Sequence, residues 1–165
     1  MQCYRNRNDR LSELGITYQQ YLATDEWKAI RKSVLMNSPP CLLCSSKASQ
    51  VHHTDYEWET LLGLRTAALA PLCDGCHSGI EFDGKRKRTL AQANTALISS
   101  LQTSSTSFGL AWLRNYQTMC QKRVGVDARA EANRKKREAS LKKKLKDETR
   151  RRWKERKGLI ATPAK

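Results

Sequence analysis

The sequence predicts an α+β protein in which a small mixed unit follows an N-terminal helix and precedes a mostly helical, basic extension. Two Cys-x-x-Cys pairs enclose short apolar runs of strand length, and an apolar stripe at helical spacing precedes the first pair. The charge changes after residue 83. Residues 1–83 contain 8 Lys/Arg and 10 Asp/Glu, a net of −2, whereas residues 84–165 contain 23 and 6, a net of +17.

The N-terminal part is predicted to contain a weakly structured lead-in, residues 1–16, followed by a helical region from Thr17 to Asn37. Thr24 is a suitable N-cap because two acidic residues follow it, where the helix dipole favours negative charge. The apolar face consists of Trp27, Ile30, Val34 and Leu35. The Ser-Pro-Pro sequence at 38–40 ends the helix.

The middle of the chain predicts two short strands and a helix. Residues 50–53 are the first strand candidate, and the apolar run 67–72 is the second, with a loop over 54–65 between them. Gly75 suits a tight turn within the second cysteine pair. A short helix is expected from His77 to Phe82.

The basic half is predicted to be helical. Helices are expected over 89–101 and 108–123, with a Ser/Thr-rich linker at 103–107 between them. Asp127 is a candidate cap for a long final helix that reaches about residue 157. Residues 128–157 hold 15 Lys/Arg and 5 Asp/Glu without an apolar stripe, so strong packing is not expected. This segment is then either a nucleic-acid-binding helix or a solvated or disordered tail.

These patterns divide the chain into four parts. They are a lead-in (1–16), a compact mixed domain (17–83), a helical extension (84–127) and a basic tail (128–165). No apolar stretch is long enough to span a membrane, and no apolar leader segment follows the N-terminus. An intracellular, non-secreted protein without a membrane partner is therefore expected.

The two cysteine pairs predict a structural zinc site formed by Cys41, Cys44, Cys73 and Cys76. Each Cys-x-x-Cys pair supplies two thiolates from one turn, and 28 residues separate the pairs. Four thiolates fill the tetrahedral coordination of zinc, which leaves no open position for chemistry. The alternative is four buried, reduced cysteines.

All three histidines of the chain lie within or beside this cysteine frame. His52 and His53 lie between the pairs, and His77 directly follows the last cysteine. Neighbouring side chains on a strand point to opposite faces, so His52 and His53 are expected to have different roles. One can bind a metal while the other faces a substrate. The alternative is that the histidines only pack around the zinc.

The combined motif resembles the HNH endonucleases, the ββα-metal nuclease family. The resemblance covers roughly 60 residues. It rests on Tyr21-Leu22, Trp27, Cys41-x-x-Cys44, His52-His53, Tyr56, Leu72-Cys73-x-x-Cys76-His77 and Phe82. It implies a small zinc-braced ββα-metal unit.

The resemblance also implies roles for individual residues. His53 would be the general base that activates water, and His52 and His77 would hold a catalytic divalent metal. Family members often have a further metal-binding histidine where this chain has Glu81, and glutamate is a competent ligand for Mg²⁺ or Mn²⁺.

A second departure from the family pattern concerns the orientation of the base. The family often has Asn or Asp nine residues before the His77 position, where this chain has Ala68. Glu57, Glu59 or a backbone carbonyl are the candidates to hold the imidazole in its place.

The expected partner is DNA. A strongly basic segment binds phosphates and releases counterions, largely without regard to sequence. The candidate nucleic-acid-binding residues are Lys85, Arg86, Lys87, Arg88, Arg150, Arg151 and Arg152. A metal-dependent DNA endonuclease is therefore expected, of a family found in phage, mobile elements and bacterial genomes. The alternatives are a zinc-stabilised nucleic-acid binder with weak or lost activity, and an assembly protein with a basic tail.

Overall fold

The computed structural model describes residues 7–104, 106–121 and 128–157. Over these residues the protein has eight α-helices and two small antiparallel sheets of two strands each. The predicted α+β class is therefore confirmed, with helix dominating. None of the helices in the described ranges is long and apolar enough to cross a membrane.

The N-terminal segment folds into three short helices, α1 (Arg7–Ser12), α2 (Tyr18–Leu22) and α3 (Asp25–Val34). The prediction of a weakly structured lead-in is wrong for the residues described. Leu11 is fully buried and Ile16 is 5% exposed, so this segment contributes to the core. Two apolar side chains among polar neighbours gave too weak a pattern to predict that burial.

The predicted helical region from Thr17 to Asn37 is interrupted between α2 and α3. Thr17 caps α2 by accepting a hydrogen bond from the Gln20 N–H, and the Gln20 side-chain oxygen accepts one from the Thr17 N–H. Thr24 caps α3 by accepting from the Trp27 N–H at 3.2 Å. The predicted Thr24 cap is confirmed, and its extended backbone is what ends α2 before α3 begins.

Strands β1 (Gln50–His53) and β2 (Leu69–Leu72) form the antiparallel pair that carries two of the histidines. Both predicted strands are confirmed, with Gln50 opposite Leu72 and His53 opposite Leu69. The predicted loop at 54–65 contains a short helix, α4 (Trp58–Leu61), and a single 3-10 turn follows at Thr66–Ala68. Trp58 and Leu61 of α4 are buried, so core packing stabilises a helix that is too short to have a recognisable periodicity.

Helix α5 (Asp74–Glu81) follows β2 directly. The prediction that it starts at His77 is wrong, because Cys73 is already its N-cap and accepts from the Cys76 N–H. Gly75 lies inside this helix with an ordinary helical backbone, so the tight turn expected there is also wrong. A hairpin of β3 (Phe82–Asp83) and β4 (Arg86–Lys87) comes next, in the stretch predicted only as a boundary.

Two helices that contact each other close the fold beside the first cysteine pair, α6 (Leu90–Thr103) and α7 (Ser107–Gln121). Each of these helices begins and ends within two residues of its predicted bounds. Gly109 of α7 lies against the backbone carbonyl of Leu42, so closely that a Cβ atom there would overlap that oxygen. The helix therefore packs directly on the turn that carries Cys41 and Cys44.

Two apolar cores lie on either side of the sheet. The first contains Leu11, Ile16, Tyr21, Trp27, Val51, Trp58, Leu61, Leu62, Leu69 and Leu145. The second contains Cys41, Leu42, Ala70, Leu72, Ile80, Leu97, Leu101 and Leu113. Because β2 contributes to both, the sheet connects them and fixes where its histidines lie.

The final helix α8 (Ala128–Arg156) packs against the N-terminal helices. Leu145 is fully buried in the first core, and Arg152 binds Asp25 at 2.6 Å and the Ala23 carbonyl at 2.7 Å. Glu148 accepts a hydrogen bond from the Asp25 N–H at 2.8 Å. One buried leucine and two charged contacts hold this segment in place, and it has no continuous apolar stripe, as the sequence indicated. The predicted cap Asp127 lies outside the described residues.

Candidate active site

The four cysteines predicted to bind zinc lie together. Their sulfur atoms are all within 4.8 Å of one another, and Cys44 Sγ is 3.6 Å from Cys73 Sγ. A disulfide requires about 2.05 Å between sulfurs, so these are separate thiols. Ligands about 2.3 Å from a tetrahedral zinc are about 3.8 Å apart, which fits this spacing. The four thiols are therefore close enough together to bind one metal ion.

Two local structures bring the cysteines together. Cys41 and Cys44 are on a turn that closes where the Cys41 N–H donates to the Ser46 carbonyl, and Ser45 there adopts φ 61. Cys73 and Cys76 belong to the first turn of α5. Hydrogen bonds from Ser46 lower the pKa of the Cys44 thiol to about 6, which favours the thiolate form that metals bind.

A second group of three side chains lies nearby, His52 on β1 and His77 and Glu81 on α5. Each offers one ligand atom, and these atoms are all within 4.8 Å of one another. His77 and Glu81 are four residues apart on one helix, so they share its face. The imidazole rings of His52 and His77 are 5.9 Å apart.

Asn94 on α6 fixes the orientation of His52. The Asn94 side-chain amide donates to the Thr54 carbonyl at 2.7 Å, so its oxygen must face His52. That oxygen lies 3.2 Å from His52 Nε2, which therefore carries the proton and donates. Both Asn94 and His52 are buried, so this arrangement is shielded from water.

The consequence is that the other ring nitrogen of His52 faces a carboxylate. His52 Nδ1 is 3.1 Å from Glu81 Oε1. The hydrogen bond with His52 is the main cause that lowers the pKa of Glu81 to about 2, so Glu81 is ionised at neutral pH. Because Nε2 donates to Asn94, a hydrogen bond at this contact requires a second ring proton on Nδ1, and a metal ion between Nδ1 and Oε1 would take the place of that proton. Neighbouring ligands of an octahedral ion about 2.1 Å away are about 3 Å apart, which matches.

His53 points away from this group into a cage of aromatic rings. Its ring centroid is 4.6 Å from Trp27 and 5.4 Å from Tyr56, and Tyr56 stacks on it at 21°. The Tyr18 hydroxyl is 3.3 Å from His53 Nδ1. The prediction that adjacent histidines serve different faces therefore fits this geometry.

Nε2 of His53 is buried and has no hydrogen-bond partner among the described residues. Burial is the largest cause that lowers the pKa of His53 to about 3, with His52 and His77 adding to the shift. The imidazole is therefore neutral at pH 7. In the tautomer in which His53 Nδ1–H donates a hydrogen bond to the Tyr18 hydroxyl oxygen, the Nε2 lone pair is the acceptor that is left available.

The carboxylates considered as supports for His53 are engaged elsewhere. Glu57 binds Arg10 at 2.8 Å and Glu59 binds Arg65 at 3.2 Å. The Ala68 carbonyl accepts from both the N–H and the hydroxyl of Thr54. Tyr18 is the residue that contacts the His53 ring nitrogen, and the sequence did not identify it as a support.

A cleft of about 280 Å³ connects the metal-ligand group to the aromatic cage. His52, His53, His77 and Glu81 all line it, so the predicted site residues open on one space. The opposite wall is formed by Tyr18, Leu22, Trp27 and Tyr56, and Arg31 and Lys87 contribute positive charge.

The basic residues after α5 differ in their surroundings. Lys85 and Arg86 are exposed on the hairpin. Lys87 binds Glu81 Oε2 at 3.2 Å, at the edge of the metal-ligand group. Arg88 donates to the carbonyls of Gly79, Ile80 and Phe82, so it caps the end of α5.

The three predicted arginines of α8 also differ. Arg150 is exposed, Arg151 pairs with Glu155 at 2.8 Å, and Arg152 is held by Asp25 and Glu148. Other exposed cations of this helix are Lys135, Lys136, Arg137, Lys143, Lys144 and Lys146. The structure thus assigns Arg152 a docking contact, while the role of the other two in nucleic-acid binding stays a prediction.

Comparison of the chain with protein-family models, with curated proteins and with solved structures finds no match. The site is therefore defined by its own geometry, a four-cysteine cluster beside a His-His-Glu group and a caged histidine.

Proposed function

We propose that this protein is a metal-dependent endonuclease that hydrolyses phosphodiester bonds in DNA, of the HNH type that its motif resembles. The observation that carries the proposal is the close approach of three possible ligand atoms on His52, His77 and Glu81, all within 4.8 Å of one another, with His52 Nδ1 3.1 Å from Glu81 Oε1. The order of an antiparallel strand pair followed directly by α5 is the order that the resemblance implies.

The donor set fits a hard or borderline divalent cation. Two imidazoles and one carboxylate suit Mn²⁺, and Mg²⁺ accepts the carboxylate with retained waters. When bound at His52, His77 and Glu81, the ion supplies charge stabilisation for the scissile phosphate and the leaving oxygen. Asn94 keeps His52 in the tautomer that can bind it.

His53 acts as the general base. Its neutral ring accepts a proton at Nε2 from the water that attacks phosphorus, while the bond to the leaving oxygen breaks. Tyr18 holds the opposite nitrogen, and the rings of Trp27 and Tyr56 fix the plane of the imidazole. The substrate and its water must enter the cleft to reach this atom, because solvent does not reach it otherwise.

The cysteine cluster acts as a brace. A zinc ion bound by four thiolates has no open position, and Cys41 belongs to the second core. It joins the turn at residues 41–44 to the start of α5, which carries His77 and Glu81. The brace thereby holds the metal-binding helix against the rest of the fold.

A zinc-stabilised nucleic-acid binder without catalysis is the second candidate. The observation that favours it is the burial of His53 Nε2, together with Ala68 in place of the family's Asn or Asp. In this case His52 and Glu81 form an ion pair with a proton between them, and only the basic surface contacts the nucleic acid.

Cleavage of supercoiled plasmid and of a single-stranded circle tests the two candidates. The protein is incubated with Mg²⁺, Mn²⁺ or Ni²⁺ beside His53→Gln and His77→Ala variants. A nuclease cuts at least one substrate, and each variant loses at least about a hundredfold in rate.

Matched zinc content and circular dichroism of the variants show that the fold is retained. Retarded migration of the nucleic acid without cleavage, under every metal, would replace the nuclease by the binder.

A further inference from the structure

The wall of the cleft opposite the metal-ligand group is apolar and aromatic. Tyr18 and Tyr56 are half-buried there, Trp27 lies behind them, and Leu22 is 36% exposed at the edge. This surface lies beside the atoms expected to meet the scissile phosphate. Phosphate and sugar are polar, so contact with the backbone alone gives no reason for such a wall.

The charge around the same cleft is positive. Arg31 is exposed and uses one guanidinium nitrogen to donate to the Ser49 carbonyl at 2.6 Å, so further donors remain on its other nitrogens. Lys87 lines the cleft on the metal side. Glu81 is the sole acid among the described lining residues, and it belongs to the metal-ligand group. An apolar wall with cations beside it matches one nucleotide, with a flat base and an anionic phosphate.

The size of the cleft limits what can enter. Its volume of about 280 Å³ is at the lower end of small-ligand sites, which run from about 300 Å³ upward. A base in a duplex is stacked on both faces, and a duplex is far too wide for this space. A base can reach the wall only after it has left the stack.

Buried His53 Nε2 is a second feature that indicates a ligand. It is a polar atom without a partner in the described residues, in a side chain 2% exposed that lines this cleft. Burial of a polar atom without a hydrogen-bond partner costs folding free energy, so a ligand or a bound water is expected to contact it. Water held beneath a bound nucleotide would satisfy it.

We infer that the cleft holds an unpaired nucleobase next to the phosphate to be cut, so that the substrate is single-stranded or locally unpaired DNA. This inference rests on the proposed nuclease function and names its substrate class. Aromatic stacking on the base, with Arg31 and Lys87 near the backbone, gives affinity without selecting a sequence.

Cleavage of one labelled sequence as a single strand and as a perfect duplex tests the inference. With Mn²⁺, the single strand is expected to have a kcat/KM about tenfold or more above that of the duplex. An abasic residue is then placed, one position at a time, on either side of the mapped cut. Removal of the docked base is expected to lower kcat/KM about tenfold, because the phosphate remains and only the stacking is lost.

A matched pair of variants locates the effect. Leu22→Ser removes apolar surface from the cleft and is expected to lower single-strand affinity about three- to tenfold. Phe108→Ser removes a similarly exposed side chain, at 38%, that does not line the cleft, and it should leave that affinity unchanged. Equal effects of the two variants would count against the cleft as the binding place.

The outcomes separate this inference from the nuclease itself. If duplex and single strand are cut equally fast, or if no abasic position matters, the inference is overturned while the nuclease proposal stands. If no substrate is cut, the nuclease proposal fails, and binding decides the inference. Single strands carrying the fluorescent base 2-aminopurine should then bind more tightly than duplex and lose emission on stacking, and an absence of both would overturn it.

Discussion

Asn94 links the candidate metal ligands to the backbone of the segment that follows β1. Its side-chain oxygen accepts a hydrogen bond from His52 Nε2 and its NH₂ group donates one to the Thr54 carbonyl, so one amide fixes both the tautomer and the position of that histidine. Partners of this kind set the orientation and basicity of metal-binding imidazoles. The residue lies on α6, outside the stretch that resembles the nuclease family.

Asn94→Ala is therefore expected to weaken Mn²⁺ binding about 10- to 100-fold. The reason is that His52 Nε2 loses its acceptor, which orients the ring and directs Nδ1 toward the metal position. Titration calorimetry of the zinc-loaded protein with Mn²⁺ measures this change. Thr95→Ala, at the exposed neighbour on the same helix, is the control and should bind Mn²⁺ as the unaltered protein does. An unchanged affinity in Asn94→Ala would show that the amide has no part in the site.

The sequence predicted the candidate metal ligands but not the residues that orient them, and the reason is physical. The cysteines and histidines are chemically distinctive, and spacings of a few residues reflect local turns that the chain forms in any context. Asn94 is 42 residues from His52 and Tyr18 is 35 residues from His53, so their contacts exist only after the helices have packed. The aromatic cage is likewise a product of tertiary structure.

Gly109 shows how closely one element approaches another. Its backbone lies against the Leu42 carbonyl, between the two ligands of the first cysteine pair, so α7 covers that turn without an intervening side chain. Gly75 in α5 has open space around it and an ordinary helical conformation.

Alanine substitutions at these two glycines should have opposite effects. Gly109→Ala forces a Cβ atom into the Leu42 carbonyl and is expected to destabilise the fold by about 1–3 kcal/mol. Gly75→Ala removes the entropy cost of a helical glycine and should stabilise by up to about 1 kcal/mol. Urea unfolding of both variants measures the two changes, and a neutral Gly109→Ala would mean that α7 can move away at no cost.

The helices and strands were predictable where a capping residue or a repeating apolar pattern marks them in the sequence. Thr24 caps α3 as predicted, and the Ser-Pro-Pro sequence at 38–40 marks the end of that helical region. The four-residue α4 and the two-residue strands of the hairpin are too short for any period, so burial or a turn decides them. Helix α5 begins three residues before its predicted start, because Cys73, an uncommon type of N-cap, accepts a hydrogen bond from the Cys76 N–H.

Metal binding at the cysteine cluster is expected to stabilise the fold of the whole molecule. Cys41 is packed in the second core, and residues on α5, α6 and α7 contact the same core. A bound zinc ion therefore stabilises every element that encloses the cluster, and not the turns alone.

Cys44→Ser should lower the zinc content from about one equivalent to none and reduce the thermal midpoint strongly. Cys120→Ser is the control, since Cys120 lies on α7 outside the cluster, and it should keep both properties. Atomic absorption and calorimetry give the two readouts. Retention of zinc by Cys44→Ser would show that the four thiols are not its ligands.

The docking of α8 is expected to depend on pH. Glu26 on α3 shares a proton with Glu148 on α8, and this hydrogen bond, with burial, raises the pKa of Glu26 to about 7 from its usual value near 4.5. A carboxyl group whose pKa is raised by folding stabilises the fold fully at pH values below its pKa in the unfolded chain. That stability is lost as pH rises through about 7. Docking should therefore weaken between about pH 5 and pH 8.

Glu26→Gln tests this because glutamine still donates a hydrogen bond to Glu148 but does not titrate. The thermal midpoint of the unaltered protein should fall more between about pH 6 and pH 8 than that of the variant. Histidines and cysteines titrate equally in both proteins, so the difference isolates Glu26. Identical pH dependence in the two proteins would show that the shared proton does not contribute.

The packing of the helices against one another was harder to predict from the sequence than the individual residues or elements. The basic helix has one fully buried leucine, Leu145, and its anchors Glu148 and Arg152 meet residues more than a hundred positions earlier. Charge composition indicates a solvated segment, and only the folded chain shows that a few contacts hold it in place.

The burial of Leu145 has a consequence for the order of synthesis. A ribosome releases α1 to α5 long before residue 145, yet Leu145 shares a core with Leu11, Tyr21 and Trp27. Trp27 also forms the cage around His53. A growing chain therefore contains His52, His53 and His77 well before it contains the residue that completes the core around Trp27. Chains truncated before residue 145 are therefore expected to have a less stable core around Trp27, which urea unfolding of such a truncated chain would measure.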